Sequence, residues 1–61
     1  MTVTIKIKCD NAAFESSEEL PRILKELANK ISSQGISPYL YRPESLLDIN
    51  GNVVGKFTVK E

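Results

Sequence analysis

Sixty-one residues, 41% of them hydrophobic and 26% charged, suit one small globular domain and lie far from the composition of disordered chains. Eight Lys and Arg balance eight Asp and Glu, so no net field favours a polyanion, a membrane surface or an acidic substrate. The absence of histidine excludes Ser-His, Cys-His and imidazole-metal chemistry within one chain, and no apolar run approaches the roughly 18 residues of a spanning helix.

A chain this short buries only about 60% of the surface its unfolded form exposes, so a partner or a second copy would help its stability. The single cysteine, Cys9, has no partner for an internal disulfide. Met1-Thr2-Val3 shows neither a basic nor an apolar leader region, which makes a reducing cytoplasm the expected location.

Thr2 to Cys9 alternates with a period of two, which predicts a half-buried strand. Val3, Ile5, Ile7 and Cys9 are expected to face inward, with Thr2, Thr4, Lys6 and Lys8 outward. Asp10 and Asn11 end it with turn chemistry, and Phe14 is expected to plug the end of the core. Leu20 to Gln34 is the helix. Its apolar residues Leu20, Ile23, Leu24, Leu27, Ala28 and Ile31 form one stripe at 3.6 residues per turn. Ser16 or Ser17 can cap its start, and Pro21 leaves that boundary open by about three residues. Opposite charges four apart, Glu18 with Arg22, Arg22 with Glu26 and Glu26 with Lys30, solvate the outer face. Gly35 can close the C-terminus with a positive φ.

Ile36 to Glu44, stiffened by Pro38 and Pro43, reads as an extended connector. Leu46 to Ile49 reads as a short strand, Asn50-Gly51 as a hairpin tip, and Val53 to Lys60 as the return strand. Pairing Ile49 with Val53 would place Leu47, Ile49, Val53, Gly55, Phe57 and Val59 on the inner face. A two-residue loop pairing Ile49 with Asn52 would set Leu47 and Ile49 beside Val54, Lys56 and Thr58; the longer loop is preferred. Residues 1–61 then form a single α+β domain of βαββ order. One helix packs on one face of a mostly antiparallel three-stranded sheet, with the last strand between the other two. The expected core is Val3, Ile5, Ile7, Phe14, Leu20, Ile23, Leu24, Leu27, Ile31, Leu47, Ile49, Phe57 and Val59.

No catalytic, cofactor or metal site is expected, because one helix on one sheet encloses little volume for a cleft. Asp48-Ile49-Asn50-Gly51-Asn52 offers oxygens ahead of a glycine but lacks the spacing of a calcium loop, and position 57 is Phe. The candidate partner-binding residues fall in two groups. Lys6, Lys8, Lys56 and Lys60 lie together on the outer sheet face, half of the eight cations, and suit an acidic protein or phosphates. That face has no aromatic to stack on bases, so nucleic acid is the weaker reading, and a solvated face is the bland one. Tyr39, Tyr41 and Arg42 have the composition of an interface hot spot, against the alternative that one tyrosine covers the core end and the other the sheet edge.

Three stretches resemble a set of very small phage and prophage proteins: Lys8 to Glu15 with its Asp-Asn-Ala-Ala-Phe, Arg22 to Ala28, and Asp48 to Gly55 with its Asp-Ile-Asn-Gly-Asn. The similarity that these stretches anchor spans about two thirds of the chain and skips Ile36 to Ser45. The resemblance implies a phage setting and a non-enzymatic role: binding a host or phage protein and blocking or redirecting it, host defence included. Nucleic-acid binding through the lysine face and a structural homodimer are the alternatives.

Overall fold

The computed structural model describes residues 1–61. Strand β1 (Thr2–Ile7) is followed by helix α1 (Glu19–Gln34) and the hairpin strands β2 (Glu44–Leu47) and β3 (Val53–Lys60). The sheet order is β1-β3-β2 with both neighbouring pairs antiparallel, as the βαββ reading expects. Single 3₁₀ turns at Ala12–Glu15 and Ser37–Leu40 flank the helix.

Helix α1 begins one residue ahead of its expected start, well within the latitude that Pro21 imposes. Ser16 acts just upstream, its Oγ accepting the Glu18 N–H at 3.2 Å. At the other end Gly35 takes φ 74° and its N–H donates to the Ile31 carbonyl at 2.7 Å. Only part of the apolar stripe is consumed. Ile23 and Leu27 are buried, whereas Leu20 and Leu24, further round the helix, remain 38% and 40% exposed. The other flank is tied to β2: Lys30 Nζ donates to Glu44 Oε2 at 2.5 Å and Arg22 Nη2 to the Leu47 carbonyl at 3.3 Å. These ties draw α1 toward one side of the sheet. The inner row of β1 is left short of cover, so Val3 and Ile5 share the face of Val59 and Phe57 yet stay 43% and 45% exposed. Cys9 lies beyond the end of β1 and is exposed, not inward.

Strand β2 starts two residues earlier than the hydrophobic pattern predicts. Leu46 pairs with Gly55 and Leu47 with Val53, leaving Val54 as an extra residue on β3. A bulge of this kind shifts the alternation by one. Gly55, Phe57 and Val59 keep one face, Val54 is buried with them, and Val53 turns out to solvent with Leu47. Neither hairpin considered from the sequence is the observed one, because Asp48 closes a longer loop. Its N–H donates to the Asn52 carbonyl at 2.9 Å, and its carbonyl accepts the Gly51 N–H at 3.0 Å. Leu47 and Ile49 are therefore not core residues, and Ile49 is 70% exposed.

The buried cluster is Ile23, Leu27, Tyr39, Leu46, Val54, Phe57 and Val59, with Ile7, Phe14 and Ile31 half-buried against it. Tyr39, Leu46 and Val54 take the places expected for Leu20, Leu24, Leu47 and Ile49. The connector is not wholly extended. Its 3₁₀ turn, bonded from Tyr39 N–H to the Ile36 carbonyl at 3.0 Å, swings the Tyr39 ring edge-on to Phe57, centroids 4.9 Å apart.

Candidate functional site

The outer sheet face is built by the alternation of β1 and β3. Thr2, Thr4 and Lys6 stand opposite Lys60, Thr58 and Lys56, so Lys6 and Lys56 are direct cross-strand neighbours. Like charges so placed repel. Lys6, Lys8, Lys56 and Lys60 are all exposed, and none lies within ion-pair distance of a carboxylate. The chain's cation–carboxylate pairs are instead Arg22 with Glu19 and Glu26, and Lys30 with Glu44. Beyond the bulge this face changes character. Val53 joins Lys6, Lys8 and Lys56 around a shallow depression, and Leu47 lies across the ladder from Val53. An exposed apolar end thus borders the lysines, a feature the sequence pattern concealed because the bulge decides it.

The second expected group is divided. Tyr39 is 6% exposed and packs in the core, as the alternative of one tyrosine covering the core end expects, while Tyr41 is 88% exposed and Arg42 also faces solvent. A shallow depression beside them is lined by Lys30, Tyr39, Arg42, Pro43 and Glu44. The Glu44 hydrogen bond raises the Lys30 pKa, against the effect of burial. The two groups do not form one site: the lysines span the outer face of β1 and β3, whereas Tyr41 and Arg42 lie on the connector into β2.

Two buried carboxylates lie outside both groups. Glu19 accepts Arg22 Nε at 2.7 Å, Arg22 Nη2 at 3.1 Å and the Ile49 N–H at 2.7 Å. The Arg22 bonds, with help from the Ile49 N–H, hold its carboxyl below the ordinary glutamate value although burial pulls the other way. Asp48 accepts the N–H groups of Asn50 and Asn52 at 2.9 Å, Asn52 Nδ2 at 3.1 Å and Asn11 Nδ2 at 2.8 Å. Burial raises its pKa, but the Asn52, Asn11 and Asn50 bonds together outweigh it and the net shift is downward. All four carboxylate oxygens are engaged, which makes these groups clamps between the helix start, the Asn11 turn and the hairpin loop. Nothing in the sequence marked Glu19 as buried, since it sits among Glu15, Glu18 and Glu26 in a run that reads as solvated.

No group of three or more His, Cys, Asp or Glu side chains is placed to hold a metal ion, and no helix is long and apolar enough to cross a membrane. No family model matches the chain, and no curated protein and no solved structure matches it either.

Proposed function

We propose that this is a non-enzymatic interaction protein of phage or prophage origin, acting in the host cytoplasm, whose lysine-bearing, partly apolar face binds an acidic surface of a host protein and inhibits it. One observation carries the reading: Lys6 and Lys56 are held directly opposite each other without counter-charge, next to exposed Val53 and Leu47. An arrangement that costs the free protein repulsion is relieved when an acidic surface covers it, and an apolar patch rimmed by charge is the composition of a protein interface. The absence of an aromatic from the lysine row weighs against bases as the ligand. Full engagement of the Glu19 and Asp48 oxygens leaves no buried carboxylate for acid–base work, which supports a binding role over a catalytic one. The phage setting rests on the motif resemblance at Lys8 to Glu15, Arg22 to Ala28 and Asp48 to Gly55.

The test is Lys6→Glu. Replacing repulsion by an opposite-charge pair with Lys56 should stabilise the free fold by roughly 0.2–1 kcal/mol while weakening binding. Tagged wild type and variant are to be compared in pulldowns from the host, followed by titration of the captured protein. Undiminished capture by the better-folded variant would sink the reading. Salt-dependent binding of labelled duplex or single-stranded DNA at micromolar protein would replace it with nucleic-acid binding.

A further inference from the structure

We propose that the open edge of β1 pairs with β1 of a second copy, joining two sheets into one of order β2-β3-β1-β1-β3-β2 about a twofold axis at Ile5. The two edges of the sheet are treated differently. Strand β2 is short, follows Pro43, carries a bulge beside it, and has its Leu47 carbonyl capped by Arg22, all devices that blunt an edge. Strand β1 has none of these, and its β-branched residues Thr2, Val3, Thr4, Ile5 and Ile7 suit an extended pairing edge.

The ladder fixes which groups are free. The Lys8 N–H donates to the Val54 carbonyl at 2.8 Å, in the same register that pairs Thr2 with Lys60 and Lys6 with Lys56. Thr2, Thr4, Lys6 and Lys8 therefore direct their N–H and C=O toward β3, and Val3, Ile5 and Ile7 direct theirs off the edge. An antiparallel second copy centred on Ile5 sets Ile5 against Ile5 and Val3 against Ile7, so every one of these donors meets an acceptor. The same register sets Lys6 against Thr4 and Lys8 against Thr2 on the outer face, so no two lysines stand directly opposite, and Lys6 and its copy are diagonal neighbours. Centring on Lys6 would instead oppose Lys6 with Lys6, and an odd register would set isoleucine against lysine. On the inner face the half-exposed Val3 and Ile5, and the flank of α1 carrying Leu20 and Leu24, are brought toward their copies. The occupant is a second copy because one strand supplies both the free donors and the matching acceptors, with charge placement compatible across the axis.

Amide exchange on the wild-type protein tests this without a mutant. The Val3, Ile5 and Ile7 amides should exchange quickly in dilute solution and become protected at millimolar concentration. Thr4 and Lys6 should stay protected throughout. Sedimentation should show monomer giving way to dimer over the same range. Ile5→Lys, at a half-exposed position, should weaken dimerisation at least about tenfold by opposing two charges on the axis. With Cys9→Ser, an Ile5→Cys chain should oxidise to a covalent dimer and a Lys56→Cys chain should not. Fast exchange of the Val3, Ile5 and Ile7 amides at millimolar concentration, or a dimer indifferent to Ile5→Lys, overturns the proposal. These readouts need no host partner, so they are separable from the outer-face reading.

Discussion

Tyr39 and Tyr41 are two residues apart on the same connector, and the structure assigns them opposite roles. Tyr39 lies edge-on to Phe57, which is wholly buried, with centroids 4.9 Å apart and an interplanar angle of 73°. Replacing either ring by Leu keeps much of its volume, for a cost below about 1.5 kcal/mol from reshaping, and removes an aromatic pair worth about 0.5–1.5 kcal/mol beyond its buried area. Each single variant should therefore lose roughly 0.5–3 kcal/mol. For 61 residues the whole stability is on the order of 3–9 kcal/mol, so such a loss is a large fraction of it. Urea unfolding followed by circular dichroism should show the midpoint fall strongly for Tyr39→Leu and Phe57→Leu. For Tyr41→Leu it should stay within about 0.5 kcal/mol of wild type. The double variant should recover a coupling of about 0.5–1.5 kcal/mol, because the pair is lost only once. If Tyr39→Leu unfolded at the same midpoint as Tyr41→Leu, or the coupling were zero, the placement of Tyr39 in the core would be refuted.

Gly55→Ala should destabilise by about 1–3 kcal/mol, since a Cβ there would meet the Lys6 carbonyl oxygen at 2.0 Å and Ile7 Cα at 2.9 Å; a midpoint rise in urea would contradict that crowding. Glu19 and Asp48 have folded-state pKa values below their ordinary 4.5 and 3.8, so their contribution is complete above those values and is lost as pH falls through the lower folded values. Thermal stability should accordingly hold from neutral pH to about pH 5 and fall below it. Glu19→Gln should flatten that decline, and an unchanged profile would remove Glu19 from the account. Val54→Ala, at a buried bulge position, should cost more than Val53→Ala at its exposed neighbour; equal losses in urea unfolding would contradict the shifted alternation.

The sequence by itself determines the elements and their order. Period-two alternation marks β1 and β3, the 3.6-residue stripe with Gly35 marks α1, and Asn50-Gly51 lies at the tip of the loop joining β2 to β3. These signals are local and sum within one segment, whereas the strand order β1-β3-β2, which makes both neighbouring pairs antiparallel, is decided by pairing between distant segments. The outer-face placement of Lys6, Lys8, Lys56 and Lys60 is legible for the same reason. Which apolar residues reach the core was decided only by tertiary structure. Leu46 and Leu47 are chemically identical in sequence, and the burial of one depends on an extra residue in the partner strand. Tyr39 and Tyr41 are separated by where a 3₁₀ turn falls over Phe57. Leu20, Leu24, Val3 and Ile5 belong to correct stripes but stay half-exposed, because side-chain bonds from Glu19, Arg22 and Lys30 draw the helix toward β2. Periodicity specifies a face. How far another element covers that face is set by contacts between residues distant in the chain.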